Sequence, residues 1–352
     1  MKLAIIPGDG IGPEVMNEAI KVLNTLSHLD SSFSLQFEEL PWSSNYYMES
    51  GKMMPADALD QLKQFDAILF GAIGDTRVPD DITIWDLIMP IRKEFQQYVN
   101  VRPVKQLKGV KAPLITKAPI DFVVFRENAE GEYSNMGGRM YHGTSQEMAV
   151  QTTVMTKEGI RRLAEYSFQY AREHGRKKVT SATKSNVITH TMKLWDEVVS
   201  EVSQDHAGIA LESIYIDALA AYFINRPEAF EVVIASNLFG DILTDLGAGL
   251  VGGLGLSPSA NLNPEGRFPS MFEPIHGSAP DISGKGIANP IAQIWSAALM
   301  LEHNGRPDLG EIILQSIEKV LVDAEFLTPD MGGKSQTAVL GDAIIRAIHE
   351  QA

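Results

Sequence analysis

Residues 3–6, Leu-Ala-Ile-Ile, form a short apolar run that passes through Pro7 directly into Gly8-Asp-Gly10-Ile-Gly12-Pro13-Glu14. A run this short, closed by a glycine turn, reads as a buried strand, and Pro13 suits the start of a helix predicted to about residue 26. The pattern then recurs. Residues 33–40 alternate like a second strand, 55–64 read as helix, and 67–70 as another buried strand ending in Gly71-Ala-Ile-Gly74. Strand, helix and strand in that order constrain the chain to an α/β fold with a largely parallel sheet.

From about residue 98 the texture changes. Residues 121–125, 177–180, 212–217 and 232–235 read as strands, and 157–174 as a helix with one apolar face. A loop-rich stretch follows residue 249 to about 287, then helices over 290–303, 309–324 and 337–349. A chain of 352 residues suits two or three domain-sized units, or two lobes sharing one sheet. No internal repeat, low-complexity segment or Ser/Gly linker marks a boundary.

The net charge of −15 argues against a nucleic-acid or anionic-membrane partner, both of which need basic surface. It leaves an anionic small substrate open, because local arginines can hold one. The chain has no cysteine, which removes disulfides, zinc thiolates and thiol nucleophiles. The first apolar run is too short for a signal peptide and no run is long enough to span a bilayer, so the expectation is a cytoplasmic protein.

The glycine turn follows a strand and opens a helix, as a dinucleotide-binding turn does. Its spacing departs from G-x-G-x-x-G, since the third glycine comes early and Pro13 follows it. As a Rossmann fingerprint it is weak, and a tight strand-to-helix turn with Pro13 at the helix start is the plainer reading, one that can still lie beside a cofactor.

Two carboxylates carry more chemistry. In Asn237-Leu-Phe-Gly-Asp-Ile-Leu-Thr-Asp-Leu246, Asp241 and Asp245 lie four apart in a segment of helical period, which puts both on one helix face. Like charges held that close invite a cation, and a hard divalent ion suits oxygen ligands. A solvated acidic face is the plainer reading of an Asp-x3-Asp pair. The apolar setting and the glycine-rich run after it favour the metal.

Arg92, Arg102 and Arg126 each sit in an apolar or aromatic setting, where a guanidinium seeks a carboxylate or phosphate. Taken singly, each reads first as an ordinary ion pair. Lys184, after a strand and among small hydroxylated residues, can serve as a base near a metal, or be a surface lysine. Tyr133 can supply a phenolic proton or simply pack. Asp217 closes a predicted strand as a third metal ligand or a strand-end cap. His276-Gly-Ser-Ala-Pro-Asp281 is a polar loop that can bracket a nucleotide.

The order of these features resembles the isopropylmalate and isocitrate dehydrogenase superfamily of β-decarboxylating dehydrogenases. The resemblance runs from Ile6-Pro-Gly-Asp-Gly-Ile-Gly-Pro-Glu14 to the helix after Asn289. It is strongest in NLFGDILTDLGAGLVGGLGLSPSANL and FEPIHGSAPDISGKGIANP. It implies a two-lobed α/β fold with a mixed, largely parallel sheet and no standard Rossmann domain. One lobe would hold residues 1–99 and 250–352 and bind the cofactor. The other, residues 100–249, would carry substrate, metal and the dimer contact.

Carried over by motif, Arg92, Arg102 and Arg126 would bind substrate carboxylates. Asp241 and Asp245 would hold Mg²⁺ or Mn²⁺, joined by Asp217 from a second subunit. Lys184, also from that subunit, would be the base for the 2-hydroxyl, and Tyr133 the acid for the later enol. Ile11, Ala72, Ile73, Glu273, His276, Gly277, Ser278, Ala279, Asp281, Ile282 and Asn289 would surround the cofactor. Asp281 would favour the free ribose hydroxyl of NAD over the phosphate of NADP. Sharing Lys184 and Asp217 between chains implies a homodimer.

Substrate choice is read in Ile84-Trp-Asp-Leu-Ile-Met-Pro-Ile-Arg92. It lacks the Ser and Asn of isocitrate enzymes, and Trp85 stands where isopropylmalate enzymes carry a small or acidic residue. A filled pocket suits hydrogen or hydroxyl on substrate C3, and the tartrate and D-malate dehydrogenase branch shows the same Trp. That branch also resembles the chain in Trp42-Ser-Ser-Asn-Tyr-Tyr47, Gly51-Lys-Met-Met-Pro55, Arg126-Glu-Asn-Ala-Glu-Gly-Glu-Tyr133 and Ser181-Ala-Thr-Lys-Ser-Asn186. It departs from the branch at Gly74-Asp-Thr-Arg77, near the expected nicotinamide. The expectation is D-malate oxidised and decarboxylated to pyruvate and CO₂, with tartrate as a further substrate. The alternatives are a 3-isopropylmalate dehydrogenase, a non-catalytic regulatory homologue of the same fold, and a metal-free Rossmann-type dehydrogenase.

Overall fold

A computed structural model describes residues 1–351. The strands, in chain order, are β1 (Lys2–Gly8), β2 (Gln36–Glu39), β3 (Ala67–Ala72), β4 (Val99–Lys105), β5 (Asp121–Glu127) and β6 (Gly131–Met140). They continue with β7 (Met148–Val154), β8 (Lys178–Thr183), β9 (Ala210–Tyr215), β10 (Val232–Ala235), β11 (Pro258–Leu262) and β12 (Ser270–Pro274). The chain divides into two units, Met1–Gln97 with Lys105–Ile115 and Ala248–Ala352, and Tyr98–Val104 with Thr116–Gly247.

In the first unit the strand order is β2-β1-β3-β12-β11. β1 runs parallel to β2 and β3, β3 parallel to β12, and only the β11–β12 pair is antiparallel. Every residue of β3 is buried, as befits a sheet covered on both faces. One cover is the Ile291–His303 helix, in which Ile291 through Ala298 are all buried. A helix buried over so many consecutive positions belongs inside a core, with Gln293 and Ser296 as its buried polar residues.

The second unit orders its strands β4-β5-β10-β8-β9, and β10 runs parallel to both β5 and β8. Phe122 packs edge-on to Phe223 and Phe230, and Phe125 to Tyr166 and Tyr170, so aromatic pairs fill both faces of β5. β6 and β7 form a separate antiparallel ribbon whose register shifts between Gly131 and Met136.

Three local expectations need correction. The strand expected over 33–40 shrinks to Gln36–Glu39, an exposed sheet edge. Asp217 does not close a strand. β9 ends at Tyr215, and Asp217 lies in the first turn of the Ile216–Asn225 helix, where a carboxylate suits the free N–H groups. The stretch 249–287, expected to be loop, contains β11 and β12. Their buried positions include Ser259, Asn261 and Ser270, polar residues that hide an apolar strand signal.

Candidate active site

Asp241 and Asp245 lie on the Asn237–Leu250 helix of the second unit, and residues from β4, β5 and β6 converge on them. Arg126 ends β5. Its Nη1 donates to Asp241 Oδ1 at 2.5 Å, while Nε and Nη2 grip Asn237 Oδ1 at 3.1 and 2.7 Å. Arg102, on β4, donates from Nη1 to Thr244 Oγ1 at 2.7 Å and reaches Asp241 at 3.5 Å and Asp245 at 3.8 Å. Both arginines are almost wholly buried. Gly240 makes this approach feasible, because a Cβ there would stand 2.6 Å from Arg126 Cβ and Cγ.

The helical spacing thus delivers the shared face, and a guanidinium already lies against both carboxylates. Charge balance alone therefore does not require a metal. Donor chemistry does fit one. Asp245 is held above its usual pKa by burial and by Asp241, although Arg102 opposes this. Two hard oxygen ligands on one face suit Mg²⁺ or Mn²⁺. Among the described residues no third His, Cys, Asp or Glu completes a cluster.

Tyr133, on β6, donates its hydroxyl to Asp241 Oδ2 at 2.8 Å. Burial and that carboxylate push its pKa up to about 12. At neutral pH it is a protonated donor, as a general acid must be. Lys184 and Asp217 form a second group in the same unit, with Nζ 2.6 Å from Asp217 Oδ1. The ammonium lowers the Asp217 pKa. The seven predicted residues of the second unit therefore fall into two groups, Arg102, Arg126, Tyr133, Asp241 and Asp245 in one, Lys184 and Asp217 in the other.

Arg92 belongs to the first unit. Its Nη2 donates to Glu273 Oε1 at 2.6 Å, and that same oxygen accepts from Asn261 Nδ2 at 2.6 Å. The buried Nε of Arg92 has no hydrogen-bond partner, a donor suited to an incoming anion. Glu273, expected beside the cofactor, is thus engaged by Arg92.

The glycine turn and the 276–282 loop meet within this unit. Ile11 N–H donates to Ser278 O at 2.9 Å, and a Cβ on Gly10 would stand 1.9 Å from that oxygen. Ile11, Val15, Ala279, Ile282 and Ala288 form a small apolar cluster behind the loop. Ile73, Gly74, Gly277, Ser278 and Ala279 line a cavity of about 620 Å³. Ala279 holds a left-handed φ of 42°, strain of the kind found at functional loops. His276 keeps an unpartnered Nε2, and burial lowers its pKa, leaving a neutral ring to meet a base edge. These features fit a nucleotide. Asp281 is exposed on the same loop, and Ala72 ends β3. Asn289 donates to Asp330 and accepts from Ile291 N–H.

Asp9 is a residue that motif reading passes over. Buried in the glycine turn, it accepts from Ser44 N–H at 2.8 Å, Ser44 Oγ at 2.6 Å and Gly74 N–H at 3.0 Å. One carboxylate so joins the turn, the Ser44–Ser50 helix and the loop after β3. The sequence signal was available: an acid between two glycines has no local use for its charge.

Glu127 offers a pH test of the local architecture. It is buried beside Arg126 and accepts backbone N–H groups from Ala129 and Glu130, yet burial raises its pKa to about 7. A raised carboxylate pKa favours folding below the unfolded value, and that advantage is lost as pH rises through the folded value. Wild-type stability should therefore fall relative to Glu127→Gln between the usual carboxylate range and pH of about 7. The limiting slope is about 1.4 kcal/mol per pH unit. Urea midpoints of both proteins at several pH values measure it, and parallel curves would refute the raised pKa.

A family profile described as isocitrate/isopropylmalate dehydrogenase matches residues 2–344. The chain is 50% identical over 344 residues to a probable tartrate dehydrogenase/decarboxylase of Bacillus subtilis, covering 97% of this chain and 96% of the relative. It is 50% identical over 358 residues to the D-malate dehydrogenase (decarboxylating) of Escherichia coli, covering 99% and 98%. The crystal structure of isocitrate dehydrogenase from Methylococcus capsulatus superimposes with a TM-score of 0.90 at 33% identity, covering 99% of both chains. With its mixed, largely parallel sheet, the chain belongs to the isocitrate/isopropylmalate dehydrogenase family.

Proposed function

We propose that this enzyme is an NAD- and divalent-metal-dependent dehydrogenase that oxidises and decarboxylates a small 2-hydroxy dicarboxylate, D-malate first and tartrate second. The observation that carries the reading is the convergence of Arg102, Arg126 and Tyr133 on Asp241 and Asp245. Guanidinium groups hold the substrate carboxylates, with Arg92 as the proposed third. A divalent ion held by Asp241, Asp245 and a second copy's Asp217 would supply Lewis acidity, lowering the pKa of the substrate hydroxyl. NAD, held by the Ile11, Ile73 and 276–282 surfaces and favoured by Asp281, would accept the hydride from C2. The second copy's Lys184, as the neutral amine, would take the hydroxyl proton at Nζ. Loss of CO₂ leaves the bonding pair in an enol, and Tyr133 returns a proton to C3.

A homodimer is part of this reading. The β6–β7 ribbon exposes Met136, Met140, Tyr141, Met148 and Val150. A two-stranded ribbon is marginal in water by itself and leaves two open edges, so a second copy is its natural cover. Val187 and Ile188, just after Lys184, are also exposed apolar residues. No helix among the described residues is long and apolar enough to cross a membrane. A chain without cysteine needs no oxidising compartment, and cytoplasmic residence is proposed with it.

The proposed substrate choice rests on Trp85. It is half-buried on a π-helical turn, Ile84–Ile88, that precedes Pro90, and Lys93 Nζ lies 4.9 Å from its ring centroid. An assay of D-malate, both tartrates, isopropylmalate and isocitrate, each with NAD or NADP and Mn²⁺ or Mg²⁺, tests the reading. D-malate with NAD should give the highest kcat/KM, and EDTA should abolish it. Faster turnover of isopropylmalate would overturn the substrate assignment. Trp85→Ala should shift the ratio toward isopropylmalate by about tenfold or more.

A further inference from the structure

β6 touches the carboxylate-bearing helix at two places. Tyr133 reaches Asp241, one turn into the helix. Its neighbour Glu132 reaches the helix start, where Oε2 accepts the Leu238 N–H at 3.0 Å and Oε1 accepts the Ser236 hydroxyl at 3.0 Å. Leu238 is the second residue of the helix and Ser236 the residue before it. Free N–H groups at a helix start call for an acceptor, and the positive end of the helix favours an anionic one. The helix answers in kind, since Asn237 Nδ2 donates to the Glu130 carbonyl at 3.1 Å.

Regular strand geometry forbids this double grip, because consecutive side chains point to opposite faces. The register shift removes the obstacle. Gly131 pairs with Val154, but the next pair is Met136 with Thr152, so β6 spends extra residues where Glu132 and Tyr133 lie. The two contacts are one residue apart on the strand and about one turn apart on the helix. They fix the helix against the strand both in place and in rotation.

We propose that Glu132 is a positioning residue for Tyr133, holding the proton donor in register with the Asp241 carboxylate through the start of the helix. The consequence for catalysis rests on the reading above, in which Tyr133 protonates the enol. Glu132 itself touches no reacting group. A residue that merely capped the helix would affect melting and leave the proton step alone.

The test separates these roles. Glu132→Ala should lower kcat for D-malate about tenfold to 100-fold, the scale of a small misplacement, with KM for NAD unchanged. It should equally slow the exchange of pyruvate C3 hydrogens with deuterium, a step that needs no hydride transfer. Glu132→Gln keeps an acceptor for Leu238 N–H and should recover most of both rates. Independently of activity, the ¹³Cζ resonance of labelled Tyr133, assigned by its loss in Tyr133→Phe, should move in Glu132→Ala and return in Glu132→Gln. Should Glu132→Ala not fold, Glu132→Asp withdraws the acceptor by one methylene and carries the same measurements. An unmoved resonance, or lower melting with unchanged kcat and exchange, overturns the proposal. A wild-type protein inert toward D-malate overturns the reaction instead, and the resonance still decides the role of Glu132.

Discussion

Lys184→Met and Tyr133→Phe should each lower D-malate oxidation by about 10²- to 10⁴-fold, the usual contribution of a proton-transfer group. Mixing the two variants after reversible dissociation should then restore activity. The chain keeps Tyr133 with Asp241 and Asp245, while Lys184 stands with Asp217 in a separate group. If a complete site takes Tyr133 from one chain and Lys184 from another, a mixed dimer has one intact site and one doubly defective site. Random mixing makes half the dimers mixed, so recovery should approach about a quarter of wild-type activity. Steady-state assays of the mixture measure this. No recovery despite verified subunit exchange would mean that each chain builds its own site.

Asp245→Asn should abolish Mn²⁺ binding by calorimetry and lower D-malate turnover by at least ~10³-fold, because one of the three proposed hard oxygen anions is lost from the set. The metal-free protein should fold and melt no lower than wild type at neutral pH. Burial and Asp241 both penalise the Asp245 charge, so a neutral amide of the same shape costs the fold little. Retained Mn²⁺ affinity would remove Asp245 from the ligand set. A melting temperature well below wild type would instead give this carboxylate a structural role.

The legible parts of this chain were those whose signal is local. A buried run followed by Gly8-Asp-Gly10 announces a strand and a turn within ten residues, and the four-residue spacing of Asp241 and Asp245 announces a shared helix face. What the spacing could not reveal was who faces them. Arg126 and Asn237 are brought together by the parallel pairing of β5 with β10, across more than a hundred residues of chain. Glu132 was equally hidden, since its use depends on an interrupted strand register that no periodicity encodes. Strands β11 and β12 escaped because Asn261 and Ser270 satisfy their burial with hydrogen bonds instead of apolar side chains. Lys184 and Asp217 each had an ordinary structural reading beside the functional one, and their pairing in this chain has no spacing signature.

Asp9 grips the loop after β3 through the backbone N–H of Gly74, not through any side chain of that loop. The residues that follow, Asp75, Thr76 and Arg77, therefore inherit their path from an anchor that is indifferent to their identity. Arg77 in turn spends its guanidinium on Asp75 and Asn45, a local arrangement that can be exchanged as a set. Mutational drift in this segment can thus explore new surfaces beside the cavity lined by Gly74 and Ser278 while the scaffold stays intact. In evolutionary terms, the buried carboxylate turns the loop after β3 into an interchangeable part.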